Sequence, residues 1–195
     1  METIRAFIAI ELPAELRQQL SQLQAKLKTD NQPRIRWVNP EGIHLTLKFL
    51  GNIQISDVDS ITAAMTDASK QITPFYLQSE TLGAFPNLKR VQVVWVGLGG
   101  EVDKLKQLQQ LIEDNLAELG FATEQRQFKP HLTLARLGKE VSPAERQCLG
   151  ELIAGTSFET GDRIKVDSIN LIRSQLTRGG AIYSRISSAV LLEEP

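Results

Sequence analysis

The chain has 195 residues, of which 42% are hydrophobic, so it can bury a substantial core as one domain or as two closely joined lobes. Its 22 Lys and Arg residues nearly balance 23 Asp and Glu residues, and the formal net charge of -1 excludes the global basic field of high-affinity, non-specific nucleic-acid binders. The single cysteine excludes an intramolecular disulfide bond and favours a reducing compartment. The apolar run at the N-terminus is too short and too interrupted by charge for a signal peptide or a membrane span, so we expect a cytoplasmic protein.

The pattern of hydrophobic residues predicts strands that alternate with four helices. Strand formers cluster with period-two alternation, whereas leucines recur at three- and four-residue steps in the helical stretches. The predicted strands cover 3–11, 34–38, 44–50, 75–85, 91–96, 121–128, 131–137, 164–171 and 181–191, and the predicted helices cover 14–28, 56–70, 101–119 and 142–154. Pairs of strands between helices favour an α+β fold with antiparallel sheets over the strict alternation of a parallel α/β fold.

Local signals at the helix ends support these boundaries. Ser56 with Asp59 resembles a capping box, and Ser142, followed by Pro143 and Glu145, resembles the same kind of helix start. Gly120 follows the third helix at the position where a left-handed residue ends many helices.

One four-residue phrase, His-Leu-Thr-Leu, occurs twice, at 44–47 and 131–134. The two copies contain the only histidines of the chain, and chance would repeat the Leu-Thr-Leu that follows them on the order of once in a thousand tries. A strand puts residues i and i+2 on one face, whereas a helix sends them to opposite sides. As strands, the copies therefore present an imidazole and a hydroxyl side by side, first His44 with Thr46 and then His131 with Thr133.

Strict alternation also places the residues that follow the two copies. After the first copy it puts Lys48 on the face of His44, and Phe49 on the buried face. After the second copy it turns Arg136 away from the face of His131, unless a bulge interrupts the strand.

Each half of the chain contains one copy of the phrase in a similar setting of strands and helices. The simplest interpretation is an internal duplication, in which two lobes face each other across a pseudo-twofold axis. We therefore expect residues 1–195 to form a single bilobal domain. Each lobe would contribute an antiparallel sheet with helices on the outside, and the repeated strands would line a shared central cleft.

Two histidines that face each other have the equipment for general acid–base catalysis near pH 7. Hydrolysis of a phosphodiester needs such a pair, because one group takes a proton from the attacking water and the other protonates the leaving alkoxide from the opposite side. A hydroxyl beside each imidazole can donate to a non-bridging phosphoryl oxygen and stabilise developing charge. The pattern thus indicates His44 and His131 as the acid–base pair, with Thr46 and Thr133 as phosphate-binding residues.

Other interpretations of the same residues have less support. A lone histidine on a strand is more often structural than catalytic, but the paired context argues against that interpretation here. Zinc needs three or four ligands, and neither HExxH nor paired cysteines occur, so we expect no metal and no cofactor. Two histidines with an unspecified carboxylate could still bind a metal, and a phosphohistidine intermediate stays open on chemistry alone.

Stretches along nearly the whole chain resemble the two-histidine phosphoesterase superfamily, and within it the LigT-like branch of RNA 2',3'-cyclic phosphodiesterases, also called 2'-5' RNA ligases. Both copies of the repeated phrase match the H-x-[ST]-x motif of that superfamily. The matching stretches are Arg5-Ala6-Phe7-Ile8-Ala9, Arg36-Trp37-Val38, His44 through Gly51, Gly83-Ala84-Phe85-Pro86, Arg90-Val91 leading to Trp95-Val96-Gly97, Phe128-Lys129-Pro130-His131 through Arg136, and Ser174-Gln175-Leu176 with Gly180 and Tyr183.

The resemblance implies a bilobal fold and a metal-independent reaction that opens a 2',3'-cyclic phosphate on RNA to a 2'-phosphate. It also implies a weak reverse reaction that joins RNA ends through a 2'-5' linkage. By analogy, His44 would be the general acid toward the leaving O3' and His131 the general base toward water, although these two roles could be exchanged. Thr46 and Thr133 would hold the phosphate, and Arg136 matches the HLTLAR ending of the family.

Without a basic surplus, RNA binding would depend on a local patch, to which we expect Lys48, Lys129, Arg136 and Arg178 to contribute. We expect a monomer whose substrate is RNA and which does not associate with a membrane. Two other functions stay open. A sibling phosphodiesterase would act on a cyclic nucleotide, a 2'-5' oligoadenylate or an ADP-ribose cyclic phosphate, and a non-catalytic module would only bind RNA. Substrate profiling would distinguish a sibling phosphodiesterase from an RNA 2',3'-cyclic phosphodiesterase. Detection of a catalysed product would exclude the non-catalytic module.

Overall fold

A computed structural model describes residues 2–29, 35–158, 163–177 and 180–192. These ranges contain four α-helices: α1 (Ala14–Leu27), α2 (Val58–Ser69), α3 (Val102–Glu118) and α4 (Pro143–Gly155). They also contain nine strands: β1 (Thr3–Glu11), β2 (Ile35–Trp37), β3 (His44–Gln54), β4 (Phe75–Phe85), β5 (Val93–Gly100), β6 (His131–Leu137), β7 (Arg163–Val166), β8 (Ser168–Thr177) and β9 (Gly180–Val190). None of the helices in these ranges is both long and apolar enough to span a bilayer.

The strands pair antiparallel in the order β7-β4-β5-β6-β3-β1-β8-β9, and β2 pairs with the end of β6. The two strands that carry the repeated phrase, β3 and β6, are neighbours in the middle of this order. The two strands have equivalent settings. Strand β1 and helix α1 precede β3, and β1 pairs with β3; in the same way, β5 and α3 precede β6, and β5 pairs with β6. The predicted antiparallel α+β fold is confirmed, but the described strands form one continuous sheet instead of two separate ones, and Leu45 pairs with Leu132 where the two halves join.

The helices cover one face of the sheet, and the main hydrophobic core lies between the helices and that face. Helix α1 buries Leu16, Leu20, Leu23 and Leu27, and α3 buries Leu105, Leu108, Ile112 and Leu116, all at three- and four-residue steps. The leucines of both repeated phrases, at 45, 47, 132 and 134, belong to the same core. A small second cluster, formed by Phe7, Ala9 and Ile172, lies on the other side of β1, which we call the open face.

Both strands that carry the repeated phrase contain a β-bulge at its second leucine. Consecutive residues of β1 pair with positions 46 and 48, which leaves Leu47 as an extra residue in β3. In the same way, consecutive residues of β5 pair with positions 133 and 135, which leaves Leu134 as an extra residue in β6. The two halves therefore share a backbone irregularity as well as a sequence.

Each bulge shifts the alternation of the side chains that follow it by one residue. Lys48 is therefore buried on the helix side, where it pairs with Glu113, and the prediction that it shares the face of the first histidine is wrong. Phe49 lies on the open face and is 66% exposed, where strict alternation predicted burial. In β6 the same shift buries Ala135 and leaves Arg136 exposed on the open face.

Several predicted strands differ in the structure. The strand predicted at 91–96 begins at Val93 and continues to Gly100 as β5. Strand β3 continues beyond position 50 to Gln54, with Gly51 at a φ of +74° that a residue with a side chain rarely adopts. Residues 121–128 form no strand and most of their side chains are exposed. The predicted strand 164–171 is interrupted at Asp167, between β7 and β8.

The helix ends follow two of the three predicted signals. Before α4, the N–H of Glu145 donates to Oγ of Ser142, and the N–H of Ser142 donates to Oε2 of Glu145, which confirms the capping box. Gly120 ends α3 with a φ of +89°, as predicted. The predicted box before α2 is wrong, because Asp57 accepts from the N–H of Gln54 instead.

Candidate active site

The pairing between the first leucines of the two copies brings the repeated phrases side by side. In this antiparallel register, His44 comes opposite Thr133, and Thr46 comes opposite His131. Residues opposed in this way have Cβ atoms about 4.5–5.5 Å apart. Because the leucines between them point into the core, the four polar side chains share the open face, where each is partly buried. The structure thus brings all four predicted residues together.

The two imidazoles are held in the same way. Nδ1 of His44 lies 2.7 Å from the carbonyl oxygen of Gly42, and Nδ1 of His131 lies 2.6 Å from the carbonyl oxygen of Lys129. A carbonyl oxygen only accepts hydrogen bonds, so each Nδ1 carries a hydrogen and donates it. The proton that each histidine gains or loses is therefore the one on Nε2.

Short restrained segments fix the two carbonyl groups. Before His44, the turn Pro40–Gly42 is capped by Asn39, whose side chain accepts from a backbone N–H of the turn at 3.2 Å. Gly42 also packs against the ring of Tyr183, where a Cβ atom would come within 3.1 Å of the ring. Before the second histidine, Pro130 restricts the backbone.

His44 is packed among aromatic rings. The ring of Phe7 stacks on it with centroids 4.5 Å apart, and the ring of Tyr183 meets it edge-on at 5.1 Å. Burial among these rings lowers the pKa of His44 below its ordinary value, since burial disfavours the charged imidazolium. The hydrogen bond to Gly42 and the charge of Glu11 oppose this shift, because both favour the protonated form.

His131 has a different neighbourhood. The ring of Phe85 meets it edge-on at 5.0 Å, and Trp95 packs behind Phe85 at 5.0 Å. Burial again lowers the pKa of His131, and the hydrogen bond to the carbonyl group of Lys129 opposes it. The guanidinium of Arg136 lowers the pKa of His131 further, because a positive charge nearby disfavours a second one.

The residues paired with the two histidines differ in charge. Glu11 pairs with His44 on β1, whereas the equivalent partner of the second histidine on β5 is Gly97. The carboxylate of Glu11 accepts from Nδ2 of Asn170 at 2.8 Å and from Nε of Arg185 at 2.7 Å. These two side chains hold the carboxylate at the edge of the site, where its charge acts on one imidazole only.

The residues that follow the two bulges differ as well. Phe49 and Arg136 each come two residues after the bulged leucine, so they occupy equivalent positions in β3 and β6. One half therefore exposes an aromatic ring at this point and the other exposes a guanidinium. The site combines a symmetric backbone with an asymmetric distribution of charge.

The predicted basic contacts have four different outcomes. Arg136 is exposed on the open face and acts on His131, as the alternative with a bulge required. Lys129 is exposed and next to the site through its carbonyl group. Lys48 is buried and does not reach the open face. Arg178 lies outside the residues that the structure describes.

The sequence did not indicate that Glu11 or Phe7 belongs to the site. It placed both residues on a predicted buried strand, with no contact to His44. Neither residue belongs to the repeated phrase, and both reach the site through the pairing of β1 with β3. Within the described ranges, no group of three or more His, Cys, Asp or Glu side chains could hold a metal ion. The arrangement can therefore be described as two imidazoles and two hydroxyls around one position on the open face.

Known proteins resemble this chain over nearly its whole length. The RNA 2',3'-cyclic phosphodiesterase of Methanothermobacter thermautotrophicus is 32% identical over 181 residues, which are 93% of this chain and 95% of that protein. The protein of the same name from Aquifex aeolicus is 28% identical over 192 residues, with 98% of this chain and 99% of that protein covered.

Solved structures show the same fold. TT0787 of Thermus thermophilus superposes with a TM-score of 0.78 at 25% identity and covers 98% of this chain and 100% of its own. Escherichia coli LigT complexed with 3'-AMP superposes with a TM-score of 0.76 at 26% identity, over 97% of this chain and 99% of its own. The family model for LigT like phosphoesterases matches residues 10–95 and again 97–183, so each match includes one copy of the repeated phrase. With both halves matched in this way, the chain belongs to the LigT-like phosphoesterase family.

Proposed function

We propose that this chain hydrolyses the 2',3'-cyclic phosphate at the end of an RNA to a 2'-phosphate, with His44 and His131 as the acid–base pair. The observation that carries the proposal is the pair of equivalent imidazoles. In each of them Nδ1 donates to a backbone carbonyl oxygen, so Nε2 is the nitrogen that exchanges a proton with the substrate. Relatives along the whole chain are named RNA 2',3'-cyclic phosphodiesterases, which supports the same substrate here.

In the proposed reaction, Nε2 of His131 removes a proton from water, and the resulting hydroxide attacks phosphorus. The bond from phosphorus to O3' breaks, and Nε2 of His44 gives its proton to O3', so the product has a 3'-hydroxyl and a 2'-phosphate. The hydroxyls of Thr46 and Thr133 donate to the non-bridging oxygens, whose charge grows in the transition state. Proton exchange with solvent then returns the histidines to their starting forms.

The charges around the site support this direction of proton transfer. Glu11 favours the imidazolium form of His44, which is the form that an acid needs. Arg136 disfavours the imidazolium form of His131, and a base must be neutral to accept a proton. Arg136 and Lys129 are also exposed cations beside the site, and we propose that they contact the phosphates of the RNA.

A parallel reaction uses the same groups, because a 5'-hydroxyl can take the place of water as the nucleophile. Attack by such a hydroxyl on the cyclic phosphate forms a 2'-5' linkage, and we propose this ligation as a secondary activity. Both phrases come from one chain, so we propose one domain of two lobes that works as a monomer. The single cysteine and the RNA substrate suit the cytoplasm as its location.

The test is an incubation of the purified protein, in EDTA, with an oligonucleotide that ends in a 2',3'-cyclic phosphate. We expect a 2'-phosphate product, with the rate reduced by several orders of magnitude in His44→Ala and in His131→Ala while circular dichroism shows an intact fold. Cyclic nucleotides, 2'-5' oligoadenylate and an ADP-ribose cyclic phosphate are assayed in parallel to exclude a sibling activity. A 3'-phosphate product, or near-normal turnover by either variant, would overturn the proposal.

A further inference from the structure

A buried glutamine of α1 contacts the bulge in β6. Nε2 of Gln24 donates to the carbonyl oxygen of Leu134, the bulged residue, at 3.0 Å and to the carbonyl oxygen of Val38 at 2.8 Å. The N–H of Val38 donates to the same oxygen of Leu134 at 2.9 Å. A carbonyl oxygen has two lone pairs, so Gln24 and Val38 together satisfy the carbonyl group of the extra residue. Gln24 therefore joins α1 to the point where β6 departs from regular alternation.

Stability alone does not account for a glutamine at this position. Gln24 is 1% exposed, and its Oε1 has no hydrogen-bond partner among the described residues. A buried polar atom without a partner costs free energy, and the other buried residues of α1 are leucines. An apolar side chain would avoid this cost, so the contribution of Gln24 is its donor group at the bulge.

The other half of the chain has an equivalent contact. Every buried position of α1 has a buried counterpart in α3 at the same spacing, with 16, 20, 23, 24 and 27 matched by 105, 109, 112, 113 and 116. Gln24 therefore corresponds to Glu113, which pairs with Lys48 directly after the bulged Leu47 of β3. Helix α1 precedes β3 but contacts β6, and α3 precedes β6 but contacts β3. Each helix thus holds the bulged strand of the opposite half.

The bulge at Leu134 decides on which face Arg136 lies. Without the extra residue, alternation would turn Arg136 to the helix side. In the structure, its charge lowers the pKa of His131 and opposes the rise in the pKa of Tyr183 that burial causes. The guanidinium is therefore close to side chains of both β6 and β9 on the open face.

We propose that Gln24 is a positioning residue, which holds the bulge at Leu134 and thereby keeps Arg136 on the open face beside His131. This inference rests on the proposed function where it concerns turnover, but the place of Arg136 can be measured without a substrate. Gln24 is buried on the helix side, so it acts on the site only through the strand. Loss of its two hydrogen bonds lets β6 pair regularly with β5, which turns Arg136 away from the site.

NMR titration of the two imidazoles tests the proposal with Gln24→Met, which keeps the length of the side chain and removes both donors. We expect the pKa of His131 to rise, as it should in Arg136→Ala, and the pKa of His44 to stay unchanged. The other titratable groups around the site, Glu11 and Tyr183, are the same in all these variants. The partners of His131 on β4 and β5, Phe85 and Gly97, carry no charge.

A double variant and a matched control separate positioning from a general loss of stability. In the background of Arg136→Ala, Gln24→Met should cause no further rise in the pKa of His131, because its effect passes through Arg136. The control Asn115→Leu removes a bond of 3.0 Å from Nδ2 to the carbonyl oxygen of Ala64, which joins two helices, and should leave both pKa values unchanged. Gln24→Asn, which withdraws the amide by one methylene, should raise the pKa of His131 as well and replaces Gln24→Met if that variant does not fold.

Kinetics connect the titration to the reaction. Gln24→Met should lower kcat for the cyclic-phosphate oligonucleotide about 100-fold and move the ascending limb of the pH–rate profile to higher pH, because the base must be neutral. If the pKa of His131 stays at its wild-type value in the glutamine variants, or rises further in the double variant, the proposal is refuted and the proposed function stands. If the wild type turns over no cyclic-phosphate RNA, the proposed function fails, and the titration still decides the role of Gln24.

Discussion

Replacement of Lys48 by methionine would leave a buried carboxylate without its cation. Nζ of Lys48 lies 2.6 Å from Oε2 of Glu113, and the two side chains are 4% and 7% exposed. Nζ also donates to the carbonyl oxygen of Ala122 at 2.8 Å, and Glu113 accepts from Nε2 of Gln109 at 3.1 Å. Breaking a buried pair of this kind costs about 3–5 kcal/mol. For a chain of this size, Lys48→Met should therefore lower Tm by roughly 6–20 °C.

Urea denaturation followed by circular dichroism measures the loss of unfolding free energy. The double variant Lys48→Met with Glu113→Leu should recover most of it, because neither charge then stays buried alone. The surface pair of Lys106 with Asp103, at 3.8 Å, provides the matched control, and Lys106→Met should cost less than about 1 kcal/mol. If Lys48→Met were as mild as the control, Lys48 would behave as the exposed RNA contact that strict alternation predicts, and the argument from the bulge would be refuted.

Two predictions concern the site itself. Glu11→Gln removes the carboxylate that favours protonated His44, so the pKa of His44 should fall while the pKa of His131 stays unchanged. NMR titration of the only two imidazoles in the chain measures both pKa values. Equal shifts of the two pKa values would contradict the proposed assignment of acid and base. Since the acid must be protonated, the same variant should move the descending limb of the pH–rate profile to lower pH. Thr46→Val and Thr133→Val each remove a donor to the phosphoryl group and should lower kcat about 100-fold in single-turnover assays, whereas a loss below threefold would exclude this role.

Local patterns in the sequence were sufficient for the helices and for the four central side chains of the site. The leucine spacing of the first and third helices puts their ends within one residue of α1 and α3, because the pattern depends only on the turn of a helix. Each histidine and its threonine are two residues apart and precede the bulge, so alternation holds for them. The histidine ring orientation, by contrast, depends on a backbone carbonyl that no sequence pattern identifies.

The bulges could not be predicted, because they depend on how β3 pairs with β1 and how β6 pairs with β5. Leu47 and Leu134 look like ordinary core residues in the sequence, and they are buried as such. The shift that they cause decides the positions of Lys48, Phe49 and Arg136, which alternation alone misplaces. The failed strand at 121–128 has a similar origin, since side chains of β3 and α3 hold its first residues.

The two repeated phrases are equivalent in backbone as well as in sequence. A site with that symmetry alone would give the two Nε2 atoms equal proton affinity and would have no preferred direction. The departures lie outside the phrases, where Glu11 corresponds to Gly97 and Arg136 corresponds to Phe49. Both departures act in the same sense, since negative charge is added at one imidazole and positive charge at the other. In the proposed mechanism, the direction of attack would therefore be set by residues that the repeated phrase does not contain. A relative with these charges exchanged between its halves should use its second histidine as the acid.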